Sequence, residues 1–94
     1  MSRLGMQSHY KPAGTQTVAY TASAGVSSAI GAYINVVRLV ATTACFVRFG
    51  GTALTTDVYL PANVPEYFTI NGGDTISAIR VGSDGNLHIT EMTQ

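Results

Sequence analysis

The stretch VVRLVATTACFVRFG, residues 36–50, is the most apolar part of this sequence, and it indicates what kind of fold the chain adopts. Two segments within it, Val36–Ala41 and Cys45–Phe49, alternate with a period of two and are separated by Thr-Thr-Ala. This period is typical of β-strands, in which successive side chains point to opposite faces of a sheet. The stretch therefore predicts two strands, joined either as a hairpin or as a wider arc.

The alternation also predicts which side chains of these strands lie on the same face. The residues expected to share a face are Val37, Leu39 and Ala41 in the first strand and Cys45, Val47 and Phe49 in the second. We expect the rest of the chain to complete a sheet structure around this pair of strands.

Further strand-like segments recur at intervals of about 8–12 residues, with turn signals between them. They are 15–20 (TQTVAY), 57–60 (DVYL), 66–71 (EYFTIN), 75–81 (TISAIRV) and 87–92 (LHITEM). In the last segment, Leu87 and Ile89 are expected to point inward and His88 and Thr90 outward. The spacing favours an all-β sandwich or a small barrel, and we expect a small antiparallel β-sandwich of jelly-roll-like form.

Two glycine-rich segments are typical of turns. Residues 71–74 (NGGD) predict a turn before the strand at 75–81, and residues 82–86 (GSDGN) predict a hairpin turn after it. The second segment has a faint similarity to a calcium-binding loop, but it lacks the alternating ligands and the later glutamate of an EF-hand.

Residues 29–35 are compatible with either a helix or a strand. Val26, Ile30 and Ile34 fit the spacing of a helical stripe. Gly31 and the rising number of β-branched residues toward Val40 argue against a helix. We therefore predict a strand over 29–35.

The first residues of the chain show neither the period of a helix nor the period of a strand. We expect residues 1–14 (MSRLGMQSHYKPAG) to form an extended N-terminal arm, followed by a β-sandwich domain of residues 15–94. Such an arm either frays in solvent or docks on a neighbouring subunit, and its apolar residues favour docking. The arm residues expected to contact a neighbour are Arg3, Leu4, Tyr10 and Lys11.

Length and composition favour association. A 94-residue chain forms one domain, and a domain of this size has a thin margin of stability. Its single cysteine excludes a disulfide within the chain, so that contacts with other subunits are the remaining stabiliser. Charged residues make up only 11% of the chain against about 25% in typical proteins. A weakly charged surface suits protein–protein contact, although it is equally compatible with an ordinary β-domain.

The few charges are unevenly distributed along the chain. Residues 1–56 contain four bases and no acid, whereas residues 57–94 contain five acids and the single base Arg80, which gives the two parts net charges of +4 and −4. Much of this charge cancels if both parts form one sandwich. If the basic arm projects instead, it can meet the acidic part of a neighbour, and oligomerisation would then depend on salt.

The sequence contains no arrangement typical of an enzyme. A nucleophile–base pair needs a histidine beside Ser, Thr or Cys, but His9 lies in the arm and His88 on an outer strand face. Cys45 lies within an apolar strand and is expected to be an inert core residue. His88 and Glu91 are three residues apart on one strand and should face opposite sides. We expect no catalytic residues, no metal site and no cofactor.

Nucleic-acid and membrane functions are also disfavoured. Five dispersed bases in a neutral chain do not predict nucleic-acid binding. Residues 1–14 lack the apolar core of a signal peptide, and the apolar region at 30–47 is interrupted by Asn35 and Arg38.

Tyrosine is the residue type most compatible with a binding surface. Tyr59 and Tyr67, near Pro61 and Pro65, are the best candidates for a contact patch, because tyrosine buries area while keeping a polar group. Ordinary core packing explains them equally well. Sugar binding also remains compatible with a compact β-sandwich that has five tyrosines but no tryptophan.

The succession of VVRLVATTACFVRFG, LPANVPEYFTI, ISAIRV and LHITEM resembles a group of small proteins encoded in the structural regions of tailed phages and prophages. The resemblance covers residues 24–92 and carries no catalytic signature. It implies a virion component, a β-sandwich module that decorates or cements the capsid or sits in the neck or tail.

This resemblance leads to a specific functional expectation. We expect a capsid decoration or cement protein that forms dimers or trimers, binds the major capsid protein and is assembled into the virion in the host cytoplasm. A neck or tail subunit is the alternative of the same class. A glycan- or receptor-binding β-module is the alternative of a different class, and an enzyme is the least expected.

Overall fold

Alternating apolar residues form eight β-strands in the computed structural model, which describes residues 10–94. The strands are β1 (Lys11–Tyr20), β2 (Gly25–Val26), β3 (Val36–Ala41), β4 (Cys45–Phe49), β5 (Val58–Leu60), β6 (Glu66–Thr69), β7 (Ile76–Arg80) and β8 (Gly85–Thr93). Residues 10–94 contain no helix, and hence none that is long and apolar enough to cross a membrane.

The strands form two four-stranded antiparallel sheets. The first sheet has the order β1-β8-β3-β6, and the second sheet has the order β2-β7-β4-β5. Strands β1 and β8, β2 and β7, β3 and β6, and β4 and β5 pair with each other, as in one long two-stranded ribbon. Rolling this ribbon adds the pairings of β3 with β8 and of β4 with β7. This is the topology of an eight-stranded jelly roll, and it confirms the expected β-sandwich.

The two strands of residues 36–50 belong to different sheets. Strand β3 pairs with β6 and β8, whereas β4 pairs with β5 and β7. The connection between them is therefore an arc that crosses from one sheet to the other, and a hairpin is excluded. Placing β3 and β4 in opposite layers lets Leu39 and Val47 join one core, where both are almost fully buried.

Hydrogen bonds hold this arc against neighbouring strands. The hydroxyl of Tyr20, at the end of β1, donates to the carbonyl oxygen of Thr43. The hydroxyl of Thr42 accepts a hydrogen bond from the backbone N–H of Asn86, with an N···O distance of 2.9 Å. The arc is thus tied to both β1 and β8.

The predicted alternation of the strands agrees with their burial. The buried side chains of β3, β4 and β8 include Val37, Leu39, Ala41, Cys45, Val47, Leu87 and Ile89. Phe49 is partly buried and packs against this core. His88 and Thr90 lie on the opposite face of β8, as expected.

Residues 29–35 do not form a strand, so that the prediction there is wrong. Ile30 and Ile34 are buried, but they anchor an irregular loop in the core. The backbone N–H of Ile30 donates to the carbonyl oxygen of Asp74, and Ile34 donates to Gly31. Hydrogen bonds within this loop and to the loop at Asp74 thus satisfy its backbone. The two isoleucines are four residues apart because each separately anchors the loop in the core, and not because they lie on one face of a helix.

The structure also differs from two further predictions, which are the end of the N-terminal arm and the hairpin turn at 82–86. Strand β1 begins at Lys11, four residues before the predicted start, and its pairing with β8 contains a bulge between Pro12 and Gly14. The segments 71–74 and 82–86 do turn the chain, but each connects strands of different sheets, so that 82–86 is not a hairpin turn.

Gly25 provides a test of how closely the layers approach each other. A Cβ atom at this position would collide with the backbone carbonyl oxygen of Ala19, which cannot move without disturbing β1. We expect Gly25→Ala to lower the free energy of unfolding by about 1–3 kcal/mol, the usual cost of overpacking. Urea denaturation followed by circular dichroism measures the change.

Gly82→Ala is the matched control. A Cβ atom at Gly82 has no other atom within 4 Å, and its φ lies outside the left-handed region. We expect a change within about 0.5 kcal/mol for this variant. Equal unfolding midpoints for the two variants would show that β1 and β2 are not in close contact.

Candidate interaction surface

The outer face of the second sheet carries a row of apolar side chains. Phe46 on β4 lies directly opposite Tyr59 on β5 and opposite Ile79 on β7. Phe46 alternates with the buried Cys45 and Val47 and therefore points away from the core. Its two cross-strand partners point to the same side. The rings of Phe46 and Tyr59 meet edge to face with their centroids 6.0 Å apart. Tyr59 nevertheless remains 54% exposed.

Other exposed apolar residues extend this row. Val81 lies two residues beyond Ile79 on the same side of the chain, and Val26 on β2 lies opposite Ser77. Leu54 lies in the loop between β4 and β5, next to Ala53, whose N–H donates to the Ser77 hydroxyl. We define the apolar face as Val26, Phe46, Leu54, Tyr59, Ile79 and Val81.

The charged groups at one end of the apolar face neutralise each other. Arg48 Nε lies 3.1 Å from Asp57 Oδ2. The Asp57 carboxylate also accepts the backbone N–H of Leu54 at 2.7 Å, which fixes the loop beside the sheet. This pairing leaves the face without net charge at that end.

The outer face of the first sheet differs from the apolar face. Its central rows are mainly polar, with Thr15 and Thr90 paired across β1 and β8, and Thr17 paired with His88. His88 Nδ1 lies 3.4 Å from the Thr17 hydroxyl. An antiparallel sheet normally exposes such a polar face to water, whereas a contiguous exposed apolar patch is typical of an interaction site.

The structure separates the two tyrosines that were predicted to form one contact patch. Tyr59 lies on the apolar face, but Tyr67 pairs with Arg38 on the outer face of the first sheet. The predicted joint patch is therefore wrong, because the chain crosses from one sheet to the other between β5 and β6. Each of the two tyrosines, taken separately, stays a predicted interface residue.

The predicted arm residues are only partly described. Arg3 and Leu4 lie outside the described residues. Lys11 is the first residue of β1 and pairs with Thr93. Tyr10 borders a polar pocket of about 200 Å³, together with Tyr33 and Asn35.

Sequence reasoning missed most of the apolar face. The segment FVRF places apolar side chains on both faces of β4, and AIRV does the same for β7. Apolar residues on both faces of a strand were the sequence signal that could have indicated an exposed apolar face. Without the strand pairing, however, nothing indicated that Phe46 and Ile79 would be neighbours with Tyr59.

The described ionisable groups do not converge on one site. Within residues 10–94, no three His, Cys, Asp or Glu side chains are grouped so that they could hold a metal ion. His88 lies on an outer face, while Glu91 accepts the backbone N–H of Gly31 at 3.2 Å. Cys45 is fully buried, and burial raises the pKa of its thiol to about 11.

No family model matches this chain, and no curated protein or solved structure does either. The geometry of the described residues is therefore the basis for assigning a function.

The Cys45 thiol makes stability fall at alkaline pH. Its pKa is raised from 9.0 to about 11 by folding. Between these values the unfolded chain binds fewer protons than the folded one, so that stability decreases as the pH rises from about 9 to about 11. We expect wild type to lose about 1–2 kcal/mol more than Cys45→Ala between pH 8 and pH 10.5.

Urea denaturation at both pH values measures this difference. Cys45→Ala also lowers the free energy of unfolding through lost packing. This loss is the same at both pH values, so it cancels when the pH dependences of the two proteins are compared. Burial raises the pKa of Tyr20 in both proteins, whereas the smaller part of this rise that Cys45 causes is lost in Cys45→Ala and belongs to the measured difference. Identical pH dependences would contradict the assignment of a protonated core thiol.

Proposed function

We propose that this protein is a structural component of a tailed-phage particle, and specifically a decoration or cement protein of the capsid. The observation that carries the proposal is the apolar face of the second sheet, with Phe46, Tyr59 and Ile79 at its centre. A function based on buried protein–protein contact also fits the weakly charged composition and the resemblance of residues 24–92 to phage structural proteins. Its partners are the major capsid protein and further copies of itself, in a virion assembled in the host cytoplasm.

The two sheets suit different surroundings. The apolar face of the second sheet would lie against the capsid lattice, since burying its aromatic and aliphatic side chains removes apolar surface from water. The first sheet, with its rows of threonine and His88, would face solvent. This difference between the two sides fits a protein that binds a lattice with one side and meets solvent with the other.

The size of the apolar face favours binding through several copies. The four strands of the second sheet are two, five, five and three residues long. At about 3.3 Å per residue and about 4.8 Å between strands, they present roughly 240 Å² in projection. A standard interface buries about 800 Å² on each partner. One protomer would therefore bind weakly, and a dimer or trimer on a repeating lattice would gain affinity through avidity.

A polar pocket favours the glycan- or receptor-binding module as a second candidate. The pocket has a volume of about 200 Å³ and is lined by Tyr10, Tyr33, Asn35, Met92, Thr93 and Gln94. Tyr33 is completely exposed, and its ring is free to stack on the apolar face of a sugar. Amide and hydroxyl groups beside it can donate to and accept from sugar hydroxyls.

Tyr59→Asp tests the proposed lattice contact. Particles released by cells that carry the gene for this chain are purified on a density gradient, and the bound protein is quantified by mass spectrometry. We expect wild type to band with the particles and Tyr59→Asp to bind at least ten-fold more weakly, since a central aromatic anchor typically contributes 2 kcal/mol or more. Absence of wild type from the particles would contradict the proposal.

Thr17→Asp is the matched control, because Thr17 is an exposed residue on the outer face of the other sheet. It should bind as wild type does, and circular dichroism should show that both variants fold. A copy number close to that of the major capsid protein supports a decoration role, whereas a small fraction of it indicates a neck or tail subunit. Glycan binding that Tyr33→Ala abolishes and Tyr59→Asp leaves unchanged would identify the receptor module.

A further inference from the structure

The edge of the second sheet at β5 leaves part of the core uncovered. Val58 on β5 lies opposite Val47 on β4, so that both side chains point toward the inside of the sandwich. Val47 is 2% exposed, whereas Val58 is 56% exposed. The difference arises because no strand among residues 10–94 lies beyond β5.

An apolar pocket opens beside Val58. It has a volume of about 210 Å³ and is lined by Val47, Phe49, Val58 and Phe68, with Arg48 and Asp57 at its border. Phe49 and Phe68 come from opposite sheets and meet edge to face with their centroids 5.3 Å apart, which forms the floor of the opening. The pocket is smaller than the roughly 300–1,000 Å³ of sites for drug-sized ligands, and it suits one large apolar side chain.

The chain contains a segment whose chemistry matches this pocket. Residues 1–9 (MSRLGMQSH) lie outside the described residues, and they place Leu4 and Met6 two positions apart. In an extended segment, these two side chains point to the same side. The segment is also basic, and Glu66 at the start of β6 is an acid at this edge of the sandwich.

Distance favours the pocket of another copy over the segment's own pocket. Strand β1 lies at the opposite edge of the sandwich from β5 and β6. The surface route crosses three strand spacings and one sheet separation, about 24 Å in total. The seven residues from Leu4 to Lys11 span at most about 25 Å, so that Leu4 would reach its own pocket only when fully stretched, with no residues left to lie along β5.

We propose that residues 1–9 of one copy lie along β5 of a second copy and insert Leu4 or Met6 into the pocket beside Val58. The inserted side chain covers the exposed inner edge of the core, and the added segment links subunits into a closed or extended assembly. This inference concerns self-association, and it does not depend on whether the assembly binds a capsid.

Disulfide trapping tests this contact directly. The variants Leu4→Cys and Val58→Cys are purified separately, mixed and oxidised, and the products are separated by non-reducing gel electrophoresis. We expect a disulfide-linked dimer that contains one chain of each variant. Cys45 does not compete, because it is fully buried and its thiol stays protonated at neutral pH.

Val26→Cys replaces Val58→Cys in the matched control. Val26 is also a valine at an edge of the second sheet and is 50% exposed, but it lies on β2 at the opposite edge. Cross-linking of Leu4→Cys to Val26→Cys as efficiently as to Val58→Cys would overturn the proposal. In the double variant Leu4→Cys/Val58→Cys, a monomer with an internal disulfide and no linked oligomers would show that the segment fills its own pocket, which also overturns it.

Light scattering provides a second measurement. Leu4→Asp combined with Met6→Asp should weaken self-association at least ten-fold, and Val58→Asp should do the same. Gln7→Asp, which lies on the opposite side of an extended segment, should leave it unchanged. A wild-type chain that stays monomeric at all concentrations would contradict the inference, yet leave the binding of Tyr59 to particles as a separate question.

Discussion

The fold depends on mutual coverage of two apolar strand faces that are adjacent in the sequence. Strands β3 and β4 each have one fully apolar face, and neither face can be buried by the strand's own sheet. Crossing between the sheets at Thr42-Thr43-Ala44 lets the two faces enter a common core. The rest of the ribbon then pairs outward from this crossing, which yields the jelly-roll order of strands.

Rolling one ribbon into two layers also explains where polar groups are buried. Ser77 lies on the outer side of β7, yet it is completely buried, because the loop after β4 folds over it. Its hydroxyl accepts from Ala53 and donates to the carbonyl oxygen of Gly25. Ser27 similarly accepts the N–H of Ile76. These hydroxyls replace backbone ladder bonds where β2 is too short to provide them.

The same topology makes the two sides of the molecule unlike each other. One sheet ends in a polar outer face, and the other in an apolar face whose charges are paired. The edge at β5 in addition leaves an inward-facing valine exposed. A domain of this size has a small core, and these two uncovered apolar surfaces are the basis of the contacts with other subunits proposed above.

Local pattern was sufficient to predict most of the strands, the inner faces of β3, β4 and β8 and the β-sandwich class, but it missed β2 and predicted a strand at 29–35 that does not form. The two-residue period of β3, β4 and β8 depends only on the geometry of an extended chain, and their inner faces could therefore be predicted residue by residue. The sequence also indicated that Tyr59 was a candidate for contact and Cys45 a core residue.

Tertiary structure alone decided which strands became neighbours. Whether β3 and β4 form a hairpin depends on burial across the whole molecule, and no local signal reports it. For the same reason the sequence joined Tyr59 with Tyr67, whereas strand pairing placed Tyr59 beside Phe46 and Ile79. Ile30 likewise required the loop at Asp74, and Ile34 a local bond to Gly31, to satisfy their backbone N–H groups before an irregular segment could be buried. A surface is formed by residues distant in sequence, and it therefore exists only once the sheets have assembled.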